Sequence, residues 1–313
     1  MTAVFGHRGA CGYLPENTIE SMLLAVEQGV DGIEFDVIPT RDGELLIRHE
    51  NNLALTTDIE SRGDFAKFRR QGIADGRPAD GWFAEDFDRE QLLQLRAMER
   101  LPQLRPKSHQ SSGLFGVPTL REILANTAFD NQHLIIEVKH GKYFQGIGLD
   151  PVRLLAEHLS ASNWQARGLR ISVESFNYEI VQQLKAATPS EVQSVFLTMR
   201  SRLPAGSTRP DAQLLARAAS DFGAIGIEIE LLFDVAPGVH PLSERITLLD
   251  FSRPRGLVEE IHQLGAKCYI FTARSEFAVD SISDYYRNLI ATGADGIFGD
   301  QPDEMIAAIR DAV

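Results

Sequence analysis

The feature that most constrains the fold of this chain is a regular alternation of short apolar runs with amphipathic stretches of helical period. The apolar runs have the length of buried β-strands. Eight strand candidates occur, at residues 3–7, 32–37, 133–139, 170–174, 192–198, 224–230, 267–272 and 296–299. Eight βα units predict an α/β fold of the (β/α)8 TIM-barrel type, in which parallel strands close on themselves. The same alternation also allows an open doubly wound sheet.

Length and composition favour one folded domain over residues 1–313. With 43% hydrophobic and 24% charged residues, the chain can bury one large core. Residues 57–117 break the alternation and carry a central aromatic cluster, Trp82, Phe83 and Phe87. We expect this segment to be an insertion after the second strand and its hairpin, ordered by its aromatic residues. Those residues would either anchor the insertion or shape a substrate site.

The charge of the chain excludes several kinds of partner. Acidic residues outnumber basic residues by 44 to 31, giving a net charge of −13 that repels nucleic-acid phosphates and anionic lipids. We therefore expect no nucleic-acid partner. No apolar stretch has the roughly 18 residues of a membrane span, and the sequence suggests no apolar rim or basic amphipathic segment, so no stable membrane association is expected. The N-terminus lacks a signal-peptide pattern, which favours a cytoplasmic location.

Two local patterns near the N-terminus carry structural predictions. Asn17 precedes an amphipathic stretch and is followed three residues later by Glu20, which is the pattern of a helix capping box. Gly6 and Gly9 flank His7, and no G-x-G-x-x-G motif follows them. We interpret these glycines as positions of close backbone packing and not as a nucleotide-binding loop.

Charged residues fall at the C-terminal ends of predicted strands, where (β/α)8 barrels carry their catalytic groups. Glu34 and Asp36 are two residues apart in one strand, as are Glu137 and Lys139 in the next, so each pair projects to one face. Burying these charges against the outer helices would be costly, which predicts that they face the barrel mouth. Three carboxylates there repel one another unless a cation lies between them, and an all-oxygen set suits Mg²⁺ or Ca²⁺.

A hairpin is predicted after the second strand, because Asp42-Gly43 lies between two extended runs. A two-residue turn there would place Asp36 opposite His49 and bring an imidazole to the carboxylate cluster. Pro39 weakens this register, since a proline in a strand ladder often marks a bulge and would shift the pairing by one residue.

Several motifs, in their order and spacing, resemble the glycerophosphodiester phosphodiesterase family along nearly the whole chain. They are His7-Arg8-Gly9-Ala10, Pro15-Glu16-Asn17-Thr18, Glu34-Phe35-Asp36-Val37, Thr40 to Gly43, His49 and Glu137-Val138-Lys139. The segments Gly81-Trp82-Phe83 and Glu99-Arg100-Leu101-Pro102 are similar to the longer, insertion-bearing branch of that family. Each motif alone is weakly specific, but their combination is specific.

This resemblance implies metal-dependent hydrolysis of glycerophosphodiesters to an alcohol and glycerol 3-phosphate. It further implies one divalent cation held by Glu34, Asp36 and Glu137, an acid–base pair formed by His7 and His49, and phosphate contacts from Arg8 and Lys139. Where shorter members of the family carry Trp-Thr-Val-Asn, this chain has Phe271-Thr272-Ala273-Arg274. Phe271 is therefore the candidate for an apolar wall beside the glycerol.

The sequence leaves several alternatives open. It does not specify the preferred alcohol, Mg²⁺ or Ca²⁺, the acid and the base within the histidine pair, the oligomeric state, or whether water or a glycerol hydroxyl attacks first. A phospholipase-type lipid phosphodiesterase and a non-catalytic barrel binding protein are rival functions. A glycosidase also uses paired carboxylates, but it gives no reason for Arg8 and Lys139 beside two histidines. We expect a preference for small, deacylated diesters.

Overall fold

Eight parallel strands form a closed barrel in a computed structural model of the chain, which describes residues 2–74, 76–240, 242 and 246–311. The barrel strands are, in chain order, Ala3–His7, Gly32–Pro39, His133–Val138, Arg170–Ser175, Gln193–Thr198, Ala224–Glu228, Lys267–Ala273 and Gly296–Gly299. The first strand pairs with both the second and the eighth, so the sheet closes. The predicted barrel and its eight strands are confirmed, and the open sheet is excluded.

Helices cover the outside of the barrel. They are Ile19–Gln28, Leu120–Ala125, Pro151–Ala161, Tyr178–Ala187, Ala212–Phe222, Leu257–Gln263, Ile282–Ile290 and Pro302–Asp311. Shorter elements outside this layer are the helices Arg89–Leu92, Pro106–His109 and Gly141–Gly146 and the paired strands Arg70–Ala74 and Arg77–Gly81. No helix within the described residues is both long enough and apolar enough to cross a bilayer.

The interior of the barrel is layered, because alternate residues of a strand point to the same side. Phe5, Ile135 and Phe298 belong to an apolar cluster of inward-facing residues. Two residues further along the first and third strands, the inward positions are occupied by His7 and Glu137. The apolar layer thus closes the barrel beneath the mouth, and the strand ends carry the charged groups.

The hairpin after the second barrel strand has a different register from the predicted one. Its return strand is Leu45–Ile47, and Val37 pairs with Ile47 instead of residue 48. The predicted pairing of Asp36 with His49 is therefore wrong by one residue.

A three-residue loop accounts for this shift. The backbone N–H of Thr40 donates to the carbonyl of Glu44 at 2.9 Å, which leaves three residues in the loop. Gly43 has a φ of 82°, the left-handed conformation that commonly ends such loops. Beyond the return strand the ladder stops. The buried Arg48 donates to two backbone carbonyls of the first loop, and His49 lines the cavity at the mouth.

Residues of the 57–117 segment have their own hydrophobic cluster. Trp82, Phe83 and Phe87 are all buried. Trp82 and Phe87 pack with Phe65 and with apolar side chains of the hairpin, and the indole N–H of Trp82 donates to the carbonyl of Phe65 at 2.7 Å. None of the three central aromatic residues is among the described residues that line the cavity. They anchor the insertion, and the alternative that they shape the substrate site is wrong.

A second excursion from the barrel was not predicted. The strands Phe233–Val235 and Leu249–Pro254 form an antiparallel ribbon between the sixth barrel strand and its helix. The first of these strands has only three residues, too few to show a period of two in the sequence. Leu249 and Phe251 of this ribbon line the cavity at the mouth.

The first outer helix begins one residue later than the predicted capping box. Thr18 is the N-cap, and its hydroxyl oxygen accepts from the backbone N–H of Ser21 at 3.1 Å. Asn17 has a φ of 58°, and its side-chain amide donates to Asp36 at 2.8 Å. The prediction of Asn17 as a cap is wrong, because a buried carboxylate recruits this amide as a hydrogen-bond donor.

The glycines beside His7 do permit close packing. A Cβ atom on Gly9 would lie 2.5 Å from the backbone carbon and the hydroxyl oxygen of Ser21, and one on Gly6 would lie 2.9 Å from the Cβ of Ala25. Gly9 also has a φ of 84°. The first loop can therefore rest directly against the backbone of the first outer helix.

This packing predicts that Gly9→Ala destabilises the protein more than Gly29→Ala. Gly29 is a matched control, because its φ is 89° and a Cβ there would meet no atom within 4 Å. Both substitutions cost about 1 kcal/mol for placing an L-residue in the left-handed region. Only Gly9→Ala adds a clash with helix backbone. Urea unfolding followed by circular dichroism should show the larger loss for Gly9→Ala, and equal losses would contradict the proposed contact.

Candidate active site

The barrel mouth opens into a cavity of about 1320 Å³. Seven of the eight site residues named from the sequence line it: His7, Arg8, Glu34, His49, Glu137, Lys139 and Phe271. The eighth, Asp36, is fully buried behind them. The fold therefore brings together residues that are spread over more than 260 positions of the sequence.

Adjacent strands place carboxyl groups side by side. Asp36 of the second barrel strand is in register with Glu137 of the third, which is in register with Glu174 of the fourth. Glu34 is in register with His7 of the first strand. One carboxylate oxygen from each of Glu34, Asp36 and Glu137 lies within 4.8 Å of the others. The register of the sheet thus creates a compact acidic cluster.

Burial and mutual repulsion raise the pKa of most of these carboxyl groups. Burial, then the charges of Asp36 and Glu174, raise the pKa of Glu34 well above its usual value. Burial is also the largest cause for Glu137, whose pKa rises to about 7 although Lys139 opposes the change. The pKa of Glu174 is likewise raised, by burial and by Glu137. These groups are therefore hard to ionise together, and a bound cation would stabilise their ionised forms.

Asp36 is the ionised member of the cluster. Burial would raise its pKa, but Arg8, His49 and Lys139 outweigh burial and hold the pKa at about 2. Its Oδ2 accepts from Asn17 and lies 3.2 Å from Nε of Arg8. Its Oδ1 is buried and has no hydrogen-bond partner among the described residues. An ionised carboxylate with an orphaned oxygen, inside a trio of close carboxyl groups, fits a hard cation such as Mg²⁺ or Ca²⁺.

Two cationic side chains lie in this cluster. Nζ of Lys139 is 2.8 Å from Glu137 and 3.8 Å from Asp36. Burial would lower the pKa of Lys139, but these two carboxylates raise it, so the ammonium group stays charged. Arg8 donates from Nη1 to Glu16 at 3.0 Å, and its φ of 55° is left-handed. Both cations line the cavity.

His7 is held by a carboxylate that follows the last barrel strand. Its Nδ1 lies 2.6 Å from Oδ1 of Asp300. Burial, then the charge of Arg8, lower the pKa of His7, and Asp300 partly opposes them. Burial would raise the pKa of Asp300, but Arg105, Arg274 and His7 hold it well below its usual range. Asp300 is therefore a permanent anion behind the imidazole.

His7, Cys11 and Asp300 form a second group of potential metal ligands by proximity alone. Two guanidinium groups already contact Asp300, and they would repel a further cation. Burial also raises the pKa of the Cys11 thiol well above its usual value, so the thiol is neutral within this network. This group is an ion-pair network and does not fit a metal.

His49 has an arrangement like that of His7. Its Nδ1 lies 2.7 Å from Oε1 of Glu50. Burial, then the charges of Arg8 and Lys139, lower the pKa of His49 to about 4. In both histidines a carboxylate contacts Nδ1, which leaves Nε2 as the nitrogen for proton exchange.

The cavity also has an apolar wall. Phe271 lines it together with Phe176, and the two rings pack edge to face with centroids 5.6 Å apart. Phe251 and Phe277 line the cavity as well. Of these phenylalanines only Phe271 was predicted to line the site, because the others lie in loops and in the unpredicted ribbon.

Exposed apolar side chains occur beside the mouth, where the sequence suggested no exposed apolar rim. Val279 is exposed and lines the cavity. Val235 and Ile282 are also exposed, and each is adjacent in the chain to a lining residue. Val235 ends a three-residue strand, Ile282 begins a helix and Val279 lies in a loop, so no periodic pattern in the sequence predicts their exposure.

Further site residues were given no role from the sequence. They are Asn17, Glu50, Arg100 and Arg105, which contact the histidines, Asp36 or their partners. Asp300, which contacts His7, was considered only as one of several strand-end residues that could line the substrate site or support it. One signal was present: Asp300 lies two residues beyond an inward-facing phenylalanine of the last strand, the position at which other strands carry site residues. Arg100 belongs to a motif that had been noticed only as part of the family resemblance.

The fold and the site together define a class, a (β/α)8-barrel protein with a buried carboxylate centre and two carboxylate-held histidines at its mouth. Comparison with known families then narrows this class. The glycerophosphoryl diester phosphodiesterase family matches residues 7–304, and the chain belongs to this family.

Individual relatives agree with this membership. The chain is 26% identical over 323 aligned positions to glycerophosphodiester phosphodiesterase GDPD6 of Arabidopsis thaliana, covering 94% of this chain and 82% of the relative. It is 25% identical over 308 positions to a glycerophosphodiester phosphodiesterase of Bacillus altitudinis, covering 98% and 97%. A phosphodiesterase of Oleispira antarctica, solved in complex with the product sn-glycerol-3-phosphate, is similar in fold, with a TM-score of 0.67, 22% identity and coverage of 99% and 97%.

The acidic cluster predicts that one divalent cation binds and that Asp36→Asn or Glu137→Gln weakens its binding more than about tenfold, because each removes an anionic oxygen ligand. Glu60→Gln, at an exposed position, is the control and should leave the affinity unchanged. Isothermal titration with Mg²⁺ and with Ca²⁺ measures the effect. A metal-soaked structure in which the Glu34, Asp36 and Glu137 side chains point apart would contradict this assignment.

Proposed function

We propose that this protein hydrolyses glycerophosphodiesters to an alcohol and glycerol 3-phosphate with one bound divalent cation. The observation that carries the proposal is the convergence of two carboxylate-held histidines and an acidic trio in one cavity of a barrel mouth. Membership of the glycerophosphoryl diester phosphodiesterase family supports it, as do the names of the relatives and the product bound to the Oleispira antarctica protein.

Charge stabilisation of the phosphoryl group is the first requirement of this reaction. Glu34, Asp36 and Glu137 would hold the cation, which when bound withdraws negative charge from phosphoryl oxygens. Arg8 and Lys139 are charged and line the same cavity, so they would attract and orient the phosphate. These two cations are also what keeps the neighbouring carboxylate Asp36 ionised.

Proton transfer is the second requirement, and His7 and His49 would form the acid–base pair. Each imidazole donates from Nδ1–H to its carboxylate, Asp300 or Glu50, so that the lone pair of the neutral ring lies on Nε2. One Nε2 would take the proton of the attacking water or glycerol hydroxyl, and the other, when protonated, would give a proton to the leaving alkoxide.

The substrate is proposed to be small and deacylated. Phe271 and Phe176 would contact the carbon face of the glycerol, and the charged layer would contact the phosphate. The net charge of −13 opposes approach to anionic lipid surfaces. The exposed apolar side chains beside the mouth favour a second candidate, a phospholipase-type activity on acylated lipid diesters.

Replacing either histidine tests the acid–base assignment. His7→Gln and His49→Gln should each lower kcat for glycerophosphocholine by roughly 10² to 10⁴ without unfolding the protein, because each removes a proton-transfer group. His109→Gln is the control, since His109 is exposed and lies outside the cavity. Steady-state kinetics measure the effect. Near-normal turnover in either variant would make that histidine structural, and no turnover of any diester by the wild type with added metal would favour a binding protein.

Substrate size separates the two candidate activities. We expect kcat/KM for glycerophosphocholine to exceed that for lysophosphatidylcholine and phosphatidylcholine vesicles by at least about tenfold, because acyl chains add bulk that the mouth must admit. A coupled assay for glycerol 3-phosphate and a choline assay measure turnover, and vesicle co-sedimentation measures association. Faster turnover of the acylated lipids, or clear sedimentation with vesicles, would favour the phospholipase-type activity.

A further inference from the structure

Two arginines of the insertion bind carboxylates behind the barrel mouth. Arg100 and Arg105 lie near the end of the 57–117 segment. Their side chains are only 26% and 6% exposed. Each contacts the carboxylate that holds one of the two histidines. No role in the proposed reaction has yet been given to either arginine.

Arg100 clamps the carboxylate behind His49. Its Nη1 and Nη2 donate to the two oxygens of Glu50, both at 2.6 Å. Its Nε and Nη2 donate to the two oxygens of Glu16, both at 2.7 Å. Oε1 of Glu50 in turn contacts Nδ1 of His49 at 2.7 Å. Because the planar guanidinium of Arg100 donates to both oxygens of Glu50, it fixes the plane of that carboxylate. The carboxylate in turn fixes the orientation of the His49 imidazole.

Arg105 has the same place behind His7. Its Nη2 donates to Oδ2 of Asp300 at 2.5 Å, while Oδ1 of Asp300 contacts Nδ1 of His7 at 2.6 Å. Its Nε donates to Glu276 at 2.6 Å, which holds the guanidinium from the other side. Asp300 has a second guanidinium partner, since Nε of Arg274 donates to Oδ2 at 2.9 Å.

Neither Glu50 nor Asp300 belongs to a regular strand. Glu50 follows the return strand of the hairpin, and Asp300 follows the last barrel strand. A carboxylate at such a position has free side-chain torsions unless another group holds it. Positioning matters because a displacement of about 1 Å at a reacting group can lower the rate about 10²-fold.

We propose that Arg100 and Arg105 are positioning residues, which orient the two histidines through Glu50 and Asp300. The insertion is then part of the catalytic apparatus. This inference rests on the proposed acid–base function of the histidines. It adds to that function the residues that set the geometry of proton transfer.

Glu50 and Asp300 differ in how many guanidinium groups hold them. Within the part of the chain that the structure describes, Arg100 is the only guanidinium that donates to Glu50. Asp300 keeps Arg274 when Arg105 is removed. Loss of Arg100 should therefore lower kcat more than loss of Arg105.

The test measures kcat and KM for glycerophosphocholine with Mg²⁺ in the wild type and in Arg100→Met and Arg105→Met. Arg70→Met is the matched control. Arg70 forms a bidentate pair with Asp86 in the same insertion, at 2.6 and 2.9 Å, and does not line the cavity. We expect Arg100→Met to lower kcat about 10- to 100-fold, with KM changed less than about threefold. Arg105→Met should lower kcat less, and Arg70→Met should keep it within about twofold.

A double-mutant cycle distinguishes positioning from a general structural role. If Arg100 acts through Glu50, then Glu50→Gln combined with Arg100→Met should be no slower than the slower single variant, within about twofold. Losses that multiply would overturn the proposal. So would a loss confined to KM, or an equal loss in Arg70→Met.

Stability is followed by thermal unfolding of every variant, so that a lower folded fraction is not read as a lower kcat. Arg100→Lys, which keeps the charge but not the planar fork, replaces Arg100→Met if that variant unfolds. It should still lose kcat at an unchanged KM, and full activity would overturn the proposal. Absence of turnover in the wild type would reject the proposed function itself. Wild-type turnover with an unaffected Arg100→Met would reject this inference alone.

Discussion

The mouth of this barrel is organised around like charges that the sheet register forces together. Two unit charges 4.8 Å apart repel by about 3.5 kcal/mol at an effective dielectric constant of about 20. The surrounding residues compensate for this repulsion in several ways. Asn17 serves Asp36 and not the helix terminus, and Arg8 adopts a left-handed backbone conformation in the same loop. Lys139 would neutralise part of the charge of a fully ionised cluster, and a divalent cation would neutralise the remainder.

Strand periodicity explains how much of this arrangement the sequence could predict. Two features of the sequence were sufficient to place three carboxylates at one end of the barrel. They are the spacing of two residues between Glu34 and Asp36 and the position of Glu137 on the next predicted strand. The hairpin register was not predictable to the residue, because a three-residue loop ending at Gly43 and a two-residue turn share the same Asp-Gly signal. His49 lies in the predicted site for a different reason. The return strand ends before His49, so its position does not depend on strand pairing.

The carboxylate and arginine contacts behind the histidines could not be predicted from the sequence, for a different reason. Asp300 and Arg105 are separated by 195 residues, and nothing in a single sequence states that an insertion will meet the end of the last strand. The insertion combines two properties that its composition suggested only separately. An aromatic cluster around Trp82 and Phe87 holds it to the hairpin, and arginines near its end bind the carboxylates behind the two histidines. Aromatic residues in such a segment are therefore compatible with a purely anchoring role.

The hydrogen bond between His7 and Asp300 joins residues that are 293 positions apart, close to the two ends of the described chain. Contacts of such long sequence separation form late, because the loop that they close is almost the whole polypeptide. A chain emerging from the ribosome can complete seven strands and assemble its three acidic side chains while this imidazole still lacks its carboxylate. The orientation of His7 therefore arises only when the barrel closes, which couples the onset of its proposed acid–base role to completion of the fold.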